Sequence, residues 1–216
     1  MDKTVLCYGD SNTYGAATID RPFGRYAPNE RWPGILAAEL GMAWRVIEEG
    51  LPGRTTVSDD PIEGADKNGR NFLLPCLLSH SPLDVVILML GTNDLKARFN
   101  KSAWEIAQGI GVLVRLIRST MAELTMLGYG FVPEILIVSP PPIRNPLPKT
   151  ADVEMFAGAL QKSRQLSEHY RTIATSYHTL FLDAGVVAQS SASDGFHLDL
   201  GGHEAIGKAI AAILTS

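Results

Sequence analysis

The sequence predicts an α/β protein: a doubly wound, three-layer arrangement with helices on both faces of a five-stranded parallel sheet. Three observations predict it. Short apolar runs alternate with longer segments of helical periodicity along the whole chain. One run, Val85–Leu90, is unbroken and rich in β-branched residues, as a central parallel strand buried on both faces requires. The aperiodic segments 16–31 and 139–152, rich in Pro and Gly, follow strands, where such a sheet builds its site.

Taken in order, Val5–Tyr8 is an apolar run closed by Gly9, the first strand. Ala27–Gly41 predicts a helix: Pro33 suits its first turn, Ile35, Leu36 and Leu40 share a face, and Gly41 suits the C-terminal cap. Trp44–Ile47 is the second strand, and Phe72–Leu78 a short helix interrupted by Pro75. Val85–Leu90 is the third strand. Ala103–Leu127 carries Ile106, Ile110, Leu113, Ile117 and Met121 along one helical face. Ile135–Val138 is a strand stopped by Pro140-Pro141-Pro142. Val153–Tyr177 is a helix, Thr179–Leu182 the fifth strand and His203–Leu214 the last helix. Strands joined through helices imply right-handed crossovers.

The chain of 216 residues suits one domain, 1–216. Apolar residues at 45% and charged residues at 19% exclude a disordered chain. Lys and Arg number 19 against 23 Asp and Glu, so no basic face for nucleic acid or for an anionic membrane is expected. Cys7 and Cys76 make no disulfide framework, and Cys7 is expected as a buried thiol. The N-terminal apolar run is too short for a signal-peptide core and no stretch is long enough to span a bilayer, so the expected location is the cytoplasm.

Three segments carry chemistry. Gly9-Asp10-Ser11-Asn12 puts Ser11 at a strand-to-helix turn, where a hydroxyl is exposed beside a helix N-terminus that favours negative charge. Gly91-Thr92-Asn93-Asp94 follows the third strand and lets the Asn93 carboxamide donate to an oxyanion. Asp194-Gly195-Phe196-His197 lets a carboxylate turn back onto a histidine ring, fixing its tautomer and leaving the other nitrogen for Ser11. Serine alone is a weak nucleophile and needs such a base.

At these positions the chain resembles the SGNH hydrolases, the GDSL-type esterases, and the resemblance covers nearly its whole length. It implies a flavodoxin-like three-layer fold. Asn12 stands where the family usually has Leu or Ile after the serine. The family's glycine after the second strand corresponds to Gly53, with Gly50 the alternative. Leu6–Ser11, Val46–Leu51, Ile87–Asp94 and Val138–Pro142 are similar to a bacterial arylesterase/acyltransferase subgroup, a mycobacterial member of which carries tryptophan where Ala16 stands. The subgroup's octamers imply a homo-oligomer.

The resemblance implies Ser11, His197 and Asp194 as nucleophile, base and orienting acid. It implies Ser11 N–H, Gly53 N–H and the Asn93 amide as the oxyanion hole. Asn12, Thr92 and Phe196 are the expected substrate contacts. The substrate the resemblance implies is a small short-acyl ester, aryl or alkyl, with alcohol competing with water for the acyl group. No metal or organic cofactor is expected. Two other classes stay open: the same chemistry on acetylated carbohydrates, thioesters or lysophospholipids, and a non-catalytic binding module.

Several side chains carry more than one reading. His203, with Asp199 four residues before it, competes with His197 as base. Asp194, His197, His203 and Glu204 match no usual zinc spacing. Asp10 is expected to hold its turn; for Arg54, Thr55 and Asp94 a simple loop role is the ordinary reading and bracing the site the other. For Lys96 and Arg98 a solvated helix face is the ordinary reading and the pocket mouth the other. Trp32 is expected in the core.

Overall fold

Alternation of apolar side chains decides how the layers stack. In β1 (Lys3–Gly9), Val5 and Cys7 point to one face and Leu6 and Tyr8 to the other, and all four are fully buried. A computed structural model describes residues 3–18, 24–144 and 152–216. Loops 16–31 and 139–152 therefore fall partly outside the described residues.

β1 pairs in parallel with β2 (Trp44–Gly50) on one side and β3 (Val85–Met89) on the other. β4 (Glu134–Ser139) and β5 (Leu180–Asp183) continue the sheet, giving the order β2-β1-β3-β4-β5. The parallel five-stranded sheet with helices on both sides is the expected fold. The strand order reverses between β1 and β3, so the crevice for a ligand opens at their carboxyl ends.

The helices in chain order are α1 (Ser11–Tyr14), α2 (Trp32–Leu40), α3 (Gly69–His80), α4 (Ala103–Met126), α5 (Asp152–Met155), α6 (Ala159–Ser176), α7 (Ala184–Val187) and α8 (Leu200–Leu214). Leu73 and Leu77 of α3, the apolar stripe of α4, and Leu166, Tyr170 and Ile173 of α6 cover the Leu6/Tyr8 face. Trp32 and Leu36 of α2, with Ile206 and Ile210 of α8, cover the Val5/Cys7 face. Each such Leu or Ile, fully buried, contributes roughly 1.5–3 kcal/mol of transfer free energy. Trp32 lies in the core as expected, and burial pushes the Cys7 thiol up.

Several elements differ in extent from the sequence expectation, and four of them do so for a clear local reason. The helix predicted from Ala27 starts at Trp32, because Arg31 has extended backbone (φ −80°, ψ 148°) and Pro33 opens the first turn. α3 runs through Pro75: the proline and Asn71, whose carbonyl loses its partner, both face solvent. The helix predicted over Val153–Tyr177 is split into α5 and α6 by Gly158 in the left-handed region (φ 73°). α8 begins at Leu200, where the Asp199 carboxylate accepts the Gly202 N–H at 2.9 Å. At the start of α4, Ser102 and Glu105 form a reciprocal capping box.

Candidate active site

β1 ends at Gly9, and the chain turns at once into α1. The Asp10 carboxylate caps that helix by accepting the Asn12 N–H at 2.9 Å, which leaves Ser11 as its first residue. Burial pushes the Asp10 carboxyl up to about 6, against the lowering pull of the Asn12 N–H and of His197 and Arg54. Beyond β3, Thr92, Asn93 and Asp94 sit beside this turn and are buried. The loop before α8 brings in Asp194 and His197.

These groups form one hydrogen-bonded chain. His197 Nε2 lies 3.0 Å from Ser11 Oγ, and His197 Nδ1 lies 2.9 Å from Asp194 Oδ2. The other Asp194 oxygen accepts the Phe196 N–H at 3.1 Å and the His197 N–H at 2.9 Å. Burial opposes ionisation of Asp194, but the His197 ring and these two N–H donors outweigh it and hold the carboxyl below the usual range. An ionised carboxylate only accepts, so Nδ1 carries the ring proton of neutral His197. The Nε2 lone pair then faces the Ser11 hydroxyl.

Next to this relay stand three N–H donors. The backbone N–H groups of Ser11 and Gly53 donate to no described acceptor. Asn93 Nδ2 gives one hydrogen to Arg54 O at 3.1 Å, which orients the amide and leaves its second hydrogen for the cleft. Gly53 lines the cleft with φ 83°, and a Cβ there would collide with Oε2 of Glu63. Gly50 instead ends β2 opposite Gly9, and a Cβ on it would collide with the backbone of Thr13 and Tyr14. Of the two glycines, only Gly53 faces the cleft.

The loop carrying Gly53 is braced from inside by Arg54, Thr55 and Asp94, which favours the bracing reading of these residues over a simple loop role. Arg54 donates to Gly9 O at 2.9 Å and to Glu49 O, and its guanidinium lies 4.0 Å from the Tyr8 ring centre. Thr55 Oγ1 donates to Ser58 O at 2.6 Å. Asp94, fully buried, accepts the Thr56 N–H at 2.8 Å and the Thr56 hydroxyl at 2.6 Å. Burial raises the Asp94 carboxyl, while Lys101 and Thr56 pull it down.

A cleft of about 220 Å³ opens over Ser11 and His197. That is below the roughly 300–1,000 Å³ typical of drug-sized ligand sites, so the cleft suits a small molecule. Met155, Phe156 and Phe196 form an apolar wall, and Thr92 and Ala16 also reach the cleft. The Phe196 ring centre is 4.5 Å from the His197 ring and 4.8 Å from Phe156.

Asn12, expected among the substrate contacts, does not line the cleft. Its Nδ2 donates to Phe196 O at 3.2 Å and its Oδ1 accepts the Leu198 N–H at 2.9 Å, so both ends of the amide are engaged. Lys96 is not on a solvated helix face: its side chain is 4% exposed, lines the cleft and pairs with Glu63. Arg98 reaches Asp60 and Glu63. Glu63 belongs to no motif and no periodic segment of the sequence. The available signal was Asp60-Pro61, a turn former, whose buried carboxylate accepts the Ile62 and Glu63 N–H groups at 2.9 and 3.0 Å.

His203 is not placed to act on Ser11. Its ring is fully buried, Nδ1 accepts the Trp32 N–H at 3.3 Å, and the ring packs edge-on to Tyr26. Burial pushes it down to about 4. Asp199, its expected companion, caps α8. Among the described residues no group of three or more His, Cys, Asp or Glu is arranged to hold a metal ion. No helix among them is long and apolar enough to cross a membrane.

The GDSL-like lipase/acylhydrolase family matches residues 7–205. No curated protein matches the chain. The carbohydrate acetylesterase Est24 from Sinorhizobium meliloti is 39% identical, with a TM-score of 0.93 over 99% of each chain. The aryl esterase of M. smegmatis is also 39% identical, with a TM-score of 0.92 over 99% of this chain and 98% of that one. Matched by the family over most of its length, the chain belongs to the GDSL-like lipase/acylhydrolase family and is a carboxylic ester hydrolase.

Proposed function

We propose that the protein hydrolyses small short-acyl esters, acetyl esters above all, of aryl or alkyl alcohols through a Ser11 acyl-enzyme. The observation that carries this reading is the unbroken hydrogen-bonded chain from Ser11 through His197 to Asp194 at the floor of a small cleft.

The geometry supports the following steps. Ser11 Oγ attacks the ester carbonyl carbon while its proton passes to His197 Nε2. Asp194 stabilises the imidazolium and keeps the ring oriented. The developing oxyanion receives the N–H groups of Ser11 and Gly53 and the free N–H of Asn93. Collapse breaks the carbon–oxygen bond, and the leaving alkoxide or phenoxide takes the proton from Nε2. Water then attacks the acyl-enzyme with its proton going to Nε2, and Ser11 leaves with that proton. An alcohol taking the place of water yields a new ester.

The ring ladder His197–Phe196–Phe156 lies beside the nitrogen that protonates the leaving group, which suits a flat aryl alcohol. The likeness to an aryl esterase and to a carbohydrate acetylesterase supports a short acyl group. The test is hydrolysis of 4-nitrophenyl acetate by the wild type and by Ser11→Ala with matched circular dichroism. The variant is expected to lose at least ~10³-fold in kcat. An inactive wild type, or a variant that keeps its rate, sinks the proposal.

A further inference from the structure

Besides the aromatic side chains, the cleft is lined by two charged ones, Glu63 and Lys96. This pair has no part in the ester chemistry described above. Burial opposes ionisation of Glu63, but the hydrogen bonds from Lys96 and Arg98 hold its carboxyl below the usual range. The turn that presents it is fixed by Asp60, whose side chain is fully buried and which also binds Arg98 at 2.6 Å. Asp60, Glu63, Lys96 and Arg98 thus form a rigid network of two negative and two positive charges.

Charge is balanced in this network, but hydrogen-bonding capacity is not. Glu63 Oε1 receives both Lys96 and Arg98, whereas Oε2, which lies over Gly53, accepts from no described donor. The Lys96 ammonium has three N–H donors and a single described partner, Glu63. A neutral network holds no excess attraction for a charged ligand. It does offer an acceptor and a donor side by side, on side chains that neighbouring groups already hold in place. A hydroxyl, which donates and accepts, fits that pair.

We propose that Glu63 and Lys96 form a hydroxyl-recognition subsite, so that the preferred ester carries a free hydroxyl close to its reacting carbonyl. The inference rests on the esterase reading and narrows its substrate class to partly acylated polyols or hydroxyacyl esters. In both, the hydroxyl donates to Glu63 Oε2 and accepts from Lys96 Nζ.

The experiment compares two matched pairs. Ethyl acetate against 2-hydroxyethyl acetate places the hydroxyl on the alcohol side. Ethyl butanoate against ethyl 3-hydroxybutanoate places it on the acyl side. In at least one pair the wild type is expected to favour the hydroxyl ester roughly tenfold in kcat/KM, through KM, as a hydrogen bond to a charged group implies. Glu63→Gln and Lys96→Met are each expected to shrink that preference at least about threefold. The wild-type ratio stands even if a variant fails to fold. Equal rates within both pairs, or a preference that survives in both folded variants, overturn the subsite and leave the esterase reading intact. Failure to turn over 4-nitrophenyl acetate as well brings down the esterase reading itself.

Discussion

The carboxamide of Asn12 grips the chain on both sides of His197. It donates to the carbonyl of Phe196 and accepts the N–H of Leu198, across 184 and 186 positions of sequence. The loop that carries the base is thereby tied to α1, the helix that carries Ser11. The 3.0 Å contact between the Ser11 hydroxyl and His197 lies one residue away from that tie on each strand of chain. The residue that departs from the family's usual Leu or Ile is thus the one that registers the two halves of the site.

Asn12→Leu is expected to hurt both stability and turnover. It leaves the buried Leu198 N–H and the part-buried Phe196 carbonyl without their partner, a cost of about 1–3 kcal/mol for the first and less for the second. Urea denaturation should show a lower midpoint, and kcat should fall more than KM changes, because the base is displaced while the cleft walls remain.

Asp194→Asn should leave the fold intact and reduce kcat about 10⁴-fold, the scale seen when the orienting carboxylate of such a relay becomes an amide. An amide can donate to Nδ1, which puts the ring proton on Nε2 and removes the lone pair from Ser11. Because the Asp194 carboxyl sits below its usual range, its stabilising contribution is present above the unfolded value of roughly 3.9 and is lost as pH falls through the folded one. The wild type should therefore lose more stability than Asp194→Asn in that acid window, measured by denaturation from pH 5 downward.

Gly53→Ala and Gly50→Ala should separate two kinds of requirement. An alanine at position 53 meets Glu63 and a backbone at φ 83°, so the N–H moves away from the place proposed for the oxyanion. Loss of one such donor predicts a 10²–10³-fold fall in kcat, roughly 2.7–4 kcal/mol. An alanine at position 50 meets the backbone of α1, so its first effect should be a lower Tm. Paired kcat and thermal melting measurements on both variants check this.

His203 predicts a pH-dependent stability. Its folded value of about 4 lies below the ordinary 6.5 because the ring is buried. Between those values the unfolded chain binds a proton that the folded chain refuses. The stability linked to the neutral ring is therefore full above about pH 6.5 and is lost as pH falls toward 4, by about 3 kcal/mol in all. Asp10, pushed up to about 6 from 3.8 by burial, acts in the opposite sense over much of the same range. The advantage of the wild type over His203→Asn should shrink from pH 7 to pH 4. An advantage that does not change with pH would contradict the assignment.

The order of strands and helices, the buried Val85–Leu90 strand and the three motif segments were all legible in the chain, because each is a local property. Apolar alternation marks a strand, a 3.6-residue period marks a helix, and a turn after a strand marks an exposed edge. The break between α5 and α6 was less legible, since no proline marks it and α6 starts after Gly158 in the left-handed region. That Gly53 and not Gly50 lines the cleft, that Glu63 and Lys96 line it too, the burial of His203 and the grip of Asn12 come from tertiary structure alone. Each depends on contacts between segments far apart in the chain. Ser11 and His197 meet across 186 positions because the crossovers set both at the carboxyl edge of one sheet. Periodicity records which face a residue takes, whereas the hydrogen-bond partner on that face is set by how the elements pack.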